Sequence, residues 1–280
     1  MSVESDFDFM KERGDLGWQE WFAAIARVLL TDARLIVSEK AHRLVEVEFY
    51  YNGDGHEDPF AHGDPVQETY GRWYFHRDEG SYRGGSFKGL DITFGPVGVV
   101  GGILIRTIED PDGNQINGCS LCVDHLLSVT GEEKVADLDG SIEERSVWDD
   151  ESPVYLSLGH SDGGDRAVHE TARVGLTLKR MYMFKTMPEF IMANYRFLTD
   201  ARIKKGKVHT VMTLIKQGLD NDEIRALTNS PRKSIDKYRD AYKEAEELED
   251  FNSWRGKKLS TADLCTIHGV WDATYGEASS

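Results

Sequence analysis

Only three of the 280 residues are cysteine, Cys119, Cys122 and Cys265. An odd count this small cannot build a disulfide framework, and it fits a reducing compartment. Long apolar runs are also missing. The longest, residues 22–30 and 97–105, stop well short of the roughly 20 residues a bilayer span requires, so no membrane association is expected. The chain starts Met1-Ser-Val-Glu-Ser-Asp-Phe-Asp, acidic and without a basic segment ahead of an apolar one, so no secretory signal is expected and a cytoplasmic location is the default. Positive charge is scarce too. With 33 Lys and Arg against 49 Asp and Glu the net charge is −16, which excludes a protein that coats nucleic acid through its overall charge. The deficit is uneven, because residues 201–243 hold 11 Lys and Arg against 5 Asp and Glu. Any DNA contact must therefore run through local basic patches. There is no internal repeat and no low-complexity tract.

Hydrophobic periodicity divides what is present. Trp18, Trp21, Phe22, Ile25, Ala26, Val28 and Leu29 recur at helical spacing. Residues 33–37 and 44–51 read as strands, the second alternating Val45, Val47 and Phe49 with Glu46 and Glu48. Residues 90–94 and 99–108 are further strands, Asp110-Pro-Asp-Gly113 is a hairpin turn, and residues 120–127 are a short helix. The polar, acidic stretch 128–165 reads as surface loop with one strand at 154–158, and strands are expected again at 172–178 and 195–198. After Thr199 the character changes. Val208, Val211, Met212, Leu214 and Ile215 form one helical stripe ending at Gly218, Asp220-Asn-Asp-Glu223 is a capping-box start, and Ser230-Pro231 opens a third helix. Three helices so spaced match a helix-turn-helix, whose third helix carries Arg232, Lys233 and Lys237; a helical cap with solvated lysines is the other reading.

The chemistry concentrates between Val45 and Arg106. Val45-Glu-Val-Glu-Phe-Tyr50 is followed by Asp58-Pro-Phe-Ala-His62, by an aromatic, Gly-rich segment ending in Leu90-Asp-Ile92, and by Gly101-Gly-Ile-Leu-Ile-Arg106. A carboxylate on a strand (Glu48), a Tyr two residues on (Tyr50), a His (His62) and an Arg ending an apolar strand (Arg106) are groups that can hold and activate one water. Taken singly, Glu48 also reads as a solvent-facing strand residue, His62 as a metal ligand lacking a standard spacing, and Arg106 as a structural ion-pair partner. Cys119-Ser-Leu-Cys122 has the spacing of a redox or zinc pair, but a zinc site would want a second pair, and two buried small residues at a helix start is the alternative.

These motifs, in this order over residues 22–200, resemble the alkyladenine (methylpurine) DNA glycosylase family. Val45-Glu-Val-Glu-Phe-Tyr50 is similar to its Val-Glu-Thr-Glu-Ala-Tyr signature and Asp58-Pro-Phe-Ala-His62 to its acidic-Ala-Ala-His motif. Gly102-Ile-Leu-Ile-Arg106 with Glu109 and Pro111 is similar to its apolar-Leu-Leu-Arg-x-x-Glu-Pro strand. Gly118-Cys-Ser120 stands where the family has Gly-Pro-Ser, and Ala172-Arg-Val-Gly175 matches its Ala-Arg-Val-Gly. The resemblance implies an α+β fold, a single domain over residues 1–200 with a mixed, curved sheet and helices, and the helical pattern after Thr199 adds a helix-turn-helix-like appendage over 201–280. The resemblance also implies a monomeric, monofunctional enzyme acting on double-stranded DNA with a modified base, with no metal or organic cofactor. Glu48 is then the general base for a water attacking C1′ of an everted nucleotide, helped by Arg106 and the backbone carbonyl of Val174, with Tyr50 and His62 flanking the base.

The segment from Gly71 to Asp91 departs from the family. Where the family has its other pocket wall, one alignment supplies Tyr82 and another His76; Tyr82 keeps the downstream register and is favoured. Arg77, Arg83 and Lys88 are available for phosphates. Asp91 stands where the family has an Asn, and an ionised Asp accepts hydrogen bonds without donating them. The expected ligand is therefore rich in donors, such as a glucosylated hydroxymethylcytosine of phage DNA excised in antiviral defence. The alternatives are an alkylpurine repair glycosylase and a noncatalytic modified-base reader.

Overall fold

The computed structural model describes residues 3–53, 55–160, 166–247 and 250–276. The chain forms two compact units. The first comprises Met1–Glu57, Ala61–Val168 and Phe197–Thr199, and the second Asp58–Phe60, His169–Arg196 and Asp200–Ser280. It is an α+β protein with a large antiparallel sheet and, among the described residues, eight α-helices.

The first unit begins with helix α1 (Trp18–Thr31), then strands β1 (Arg34–Val37), β2 (Lys40–Gly53), β3 (His56–Glu57), β4 (Trp73–Phe75), β5 (Arg77–Asp78), β6 (Ser81–Tyr82), β7 (Leu90–Thr93), β8 (Val100–Glu109) and β9 (Gln115–Asn117). Helices α2 (Cys119–Thr130) and α3 (Val135–Ile142) and strand β10 (Val154–Ser157) follow. The sheet order is β10-β1-β2-β8-β7-β4, with β3 also on β2 and β9 on β8, while β5 and β6 make a separate hairpin. The pairs β1–β10, β1–β2, β2–β3, β2–β8, β4–β7, β5–β6, β7–β8 and β8–β9 are antiparallel. The connections explain this, because parallel neighbours need a crossover of a dozen or more residues. Here β1 and β2 join through Ser38 and Glu39, both left-handed, and β8 and β9 through a turn closed by Asp110 and Asn114.

Alternation along β2 sorts its side chains between two faces. Val47, Phe49 and Tyr51 pack with Trp21, Phe22 and Phe94, the Phe22 and Phe49 rings stacked at 5.0 Å. Glu46, Glu48 and Tyr50 take the other face. The β2–β8 ladder shifts register twice in succession: Leu44 faces Ile108, Glu46 faces Thr107 and Val47 faces Ile105, so Val45 and Arg106 are both left without a partner in the ladder. Their carbonyls bond elsewhere. Val45 accepts from Thr199 N–H at 3.0 Å, and Arg106 accepts from Gly118 N–H at 2.7 Å.

Two expectations are corrected. Residues 135–142, read as loop, form α3, whose Val135, Leu138 and Ile142 are buried at helical spacing. Residues 172–178, read as strand, are irregular: β11 (His169–Thr171) ends before them, and Gly175 takes a positive φ of 86° incompatible with a ladder. Strands β4 to β6 fall in the segment for which no element was expected.

The second unit holds β11, the short α4 (Met187–Phe190) and helices α5 (Lys207–Lys216), α6 (Asn221–Thr228), α7 (Arg232–Lys243) and α8 (Thr261–Tyr275). Strand β12 (Arg196–Leu198) leaves this unit and its Phe197 and Leu198 join the first, where β12 pairs with β2. Val208, Val211, Met212, Leu214 and Ile215 of α5 share one core with Ile224, Ile235, Ala241 and Cys265. Gly218 terminates the α5 turn at φ 84°, a conformation that favours glycine. Asp220 caps α6, accepting from the Asp222 and Glu223 N–H groups, while Glu223 reaches back to accept from Asp220 N–H at 2.7 Å.

Candidate active site

The face of the sheet opposite α1 carries a layer of buried polar groups. Glu48 on β2, Leu104 on β8 and Asp91 on β7 stand in one cross-strand row, with Tyr50 opposite Gly102. Arg106, the unpaired residue of the β8 irregularity, projects into this layer. Bulges characteristically re-aim a side chain in this way. Its Nε donates to Glu46 Oε1 at 3.1 Å and its Nη1 to Glu48 Oε2 at 3.2 Å. Tyr50 donates its hydroxyl to the same Glu48 oxygen at 2.8 Å, and Thr107 donates to Glu46 Oε2 at 2.6 Å. Glu48 is fully buried, Glu46 is 1% exposed and Arg106 7%. Burial works against the Arg106 charge, yet Glu48 first, then Cys119 and Glu46, hold its pKa above the ordinary value.

Asp91 extends the layer. Its Oδ2 accepts from Gln67 Nε2 at 3.1 Å and its Oδ1 lies 2.7 Å from His76 Nε2. Gly102 makes this possible, since a Cβ there would sit 2.6 Å from Asp91 Oδ2 and 2.7 Å from Gln67 Nε2. The His76 ring meets that of His62 edge-on at 4.4 Å, and Tyr74 lies 5.6 Å away. His62 keeps an exposed edge, but crowding and then the neighbouring His76 depress its pKa to about 4. Cys119 accepts from Arg106 Nη1 at 3.6 Å, and burial, more than the nearby carboxylates, pushes its thiol up to about 11. Cys122, one turn on, donates to the Arg106 and Ile116 carbonyls, and both cysteines are free thiols.

The first unit thus brings together Glu48, Tyr50, Arg106, Asp91, His76 and His62. The sequence reading missed Glu46, Gln67 and Cys119, although Glu46 shares the period-two pattern of Glu48. Tyr82 goes elsewhere: it donates to Asp139 Oδ2 at 2.5 Å, and Arg77 Nη2 lies 2.9 Å from the same oxygen. Tyr82 and Arg77 line a cleft of about 590 Å³ with Arg72, Trp73, Asp139 and Arg145, and none of the six clustered residues lines it. Arg83 donates to the Arg77 carbonyl, and Lys88 pairs with Asp124. Val174 belongs to the second unit, beside Arg173. There too, Arg232 lies 3.6 Å from Asp222, and Lys233 and Lys237 are exposed on α7. Among the described residues no group of three or more His, Cys, Asp and Glu side chains is arranged to hold a metal ion, and no helix is long and apolar enough to cross a membrane.

A buried carboxylate–guanidinium cluster on an antiparallel sheet is the class of site this chain defines. No protein-family model matches it. An uncharacterized protein of Acanthamoeba polyphaga mimivirus is 31% identical over 178 residues, covering 58% of this chain and 82% of the viral protein, and the chain belongs to its family. A Rhodococcus jostii (strain RHA1) protein bearing the name "Putative 3-methyladenine DNA glycosylase" is 26% identical over 162 residues, 49% of this chain and 66% of its own length, a distant relationship.

Proposed function

We propose that this protein is a monofunctional DNA N-glycosylase that turns a modified base out of the duplex and hydrolyses its N-glycosidic bond with a water deprotonated by Glu48. The observation that carries this reading is the fully buried Glu48 carboxylate, oriented on one oxygen by Tyr50 and Arg106. The Tyr50 and Arg106 donors on Oε2 fix the orientation of the carboxylate. The distant relationship to a bacterial protein with a glycosylase name supports the same reaction class. In this reading Arg106 steadies the water, and Tyr50, His62 and His76 flank the base. His76 takes the wall first given to Tyr82, because His76 is the one in ring contact with His62. Arg77, Arg83, Lys88 and the α7 residues Arg232, Lys233 and Lys237 serve the DNA backbone. The enzyme works as a cytoplasmic monomer and needs neither metal nor organic cofactor.

For the substrate, the charge balance favours an alkylated purine. Glu46 and Glu48 are buried against Arg106 and Asp91 is buried against His76 and Gln67, carboxylates that suit a base made cationic by alkylation, which also departs without a general acid. The bulky, donor-rich base of phage DNA, glucosylated hydroxymethylcytosine, is the second reading. It depends on Asp91, each of whose oxygens already has one partner.

The test is a panel of duplexes, each with one modified base, treated with wild type or Glu48→Gln and then cleaved with alkali. The expected result is release of 3-methyladenine-type bases by wild type and loss of release in the variant with duplex binding kept. Release of glucosylated hydroxymethylcytosine alone moves the substrate to the second reading. No release by wild type, with binding of modified duplex, makes the protein a reader and ends the enzyme proposal.

A further inference from the structure

Two acid-free segments of the second unit meet on its surface. From Thr171 to Pro188 the chain has no Asp or Glu and includes Lys179, Arg180 and Lys185; from Phe251 to Ala262 it again has none and includes Arg255, Lys257 and Lys258. The fold joins them where the Arg255 guanidinium lies over the Tyr182 ring, 5.7 Å from its centre. All six cations are exposed, and none forms an ion pair among the described residues. Asp263, just past the second segment, feels the Lys257 charge, yet in a chain of net charge −16 six exposed cations without an ion pair still call for a polyanionic partner.

Two large apolar side chains stand among these charges. Tyr182 is 61% exposed and Met183 59%. They sit on a run of tight turns, with Met181 N–H bonded to the Leu178 carbonyl and Met183 N–H to the Arg180 carbonyl. Fully buried Leu178 anchors one end and nearly buried Met187 the other. The second segment is pinned by Trp254, 4% exposed, whose indole N–H donates to Asp263 Oδ1 at 3.1 Å. The backbone is therefore held while the aromatic and thioether groups face outward, a costly exposure for a surface that contacts only water.

We propose that this surface binds single-stranded DNA, with the six cations along the phosphates and unstacked bases against Tyr182 and Met183. Cations interleaved with open aromatic faces are what single strands use, since every base offers a π-face and every nucleotide a phosphate. Duplex DNA keeps its base faces stacked and would leave Tyr182 and Met183 without a partner. The surface belongs to the second unit and the Glu48 cluster to the first, and the proposal does not depend on the proposed reaction.

The experiment is fluorescence anisotropy of the full chain with a labelled oligothymidylate of about 20 nucleotides, a duplex of equal length, and phosphatidylserine vesicles as a third arm. Wild type is expected to bind the oligothymidylate more tightly than the duplex. Tyr182→Ala should weaken the single-strand complex about 5- to 150-fold and leave duplex binding unchanged. The double change Lys257→Glu with Lys258→Glu should lower the salt slope of the single-strand complex by about 1.4. Circular dichroism confirms folding of each variant. Equal affinity for the two DNAs, indifference to Tyr182→Ala, or binding to vesicles without binding to the oligothymidylate would overturn the proposal. Base release assayed alongside keeps the two readings apart, because Tyr182→Ala should leave it intact and Glu48→Gln should leave oligothymidylate binding intact.

Discussion

Arg173 and Asp58, 115 positions apart in the chain, meet with Nη1 2.5 Å from Oδ2 and neither side chain exposed to solvent. The guanidinium also donates to the Phe190 carbonyl at 3.3 Å and lies over the rings of Phe60 and Tyr195. Removing one member of a fully buried pair strands the other charge, at about 3–5 kcal/mol. Arg173→Met is therefore expected to lower the free energy of unfolding by about that amount in urea titrations. A loss below about 1 kcal/mol would mean that Asp58 finds solvent or another donor.

The same logic separates the two central residues of the Glu48 cluster. Arg106→Leu removes the guanidinium that pairs with both Glu46 and Glu48, and a loss of about 3–5 kcal/mol is expected. Glu48→Gln keeps an oxygen for Tyr50 and Arg106, so its stability should change far less, by about 1 kcal/mol. Equal stability loss in both variants would show that the guanidinium is not what holds the acids together.

Gly102→Ala places a methyl group against Asp91 Oδ2 and Gln67 Nε2. The chain is expected to fold with the Gln67–Asp91 hydrogen bond broken, at a cost of about 1–3 kcal/mol. A crystal structure of the variant tests this directly: an unmoved Gln67 amide would refute it.

In the second unit, His209 Nδ1 of α5 lies 3.1 Å from His268 Nε2 of α8. Full burial, followed by His209 and Lys216, drives the His268 pKa well below 6.5. The folded state therefore holds this imidazole neutral, and its contribution to stability is complete above pH 6.5 and shrinks as the pH falls below it. The free energy of unfolding should drop between pH 7 and pH 5, by at most about 1.4 kcal/mol per pH unit for this group and with a fall in melting temperature, and His268→Gln should flatten that slope. An unchanged slope in the variant would assign the acid sensitivity to other groups.

Burial raises the thiol pKa of Cys119 to about 11 and of Cys265 to about 12, and lifts that of Cys122 as well. The thiolate is the reactive form, so iodoacetamide at pH 8 is expected to label the native protein slowly at all three positions. Rapid native labelling read by intact mass would contradict this. The same protonation argues against the redox reading of the Cys119–Cys122 spacing.

Much of this arrangement was legible before folding, and the exceptions have physical causes. Strict alternation from Val45 to Tyr51 announces β2 and its two faces, and the Asp220–Glu223 signature announces α6. Helix α3 escaped because the acidic, Gly-containing stretch around it outweighed three apolar residues at helical spacing. The partner of Arg106 could not be read, because an irregularity in a ladder depends on two strands at once and leaves no mark in either. Sequence register favours Tyr82 over His76 as the pocket aromatic, and only the pairing of β5 with β6 and of β4 with β7 sends Tyr82 toward Asp139 and His76 toward Asp91.

The unpaired Val45 and Arg106 offset each other: Leu44 opposite Ile108 and Val47 opposite Ile105 keep the same alignment on either side of the interruption. Each strand carries one surplus residue, so a deletion in β2 or in β8 alone would turn inside out everything past that point, exchanging Phe49 for Glu48 in the apolar layer. A variant that deletes one residue from β2 here is expected to fold again when one residue is also deleted from β8, which links the lengths of two segments some 60 positions apart.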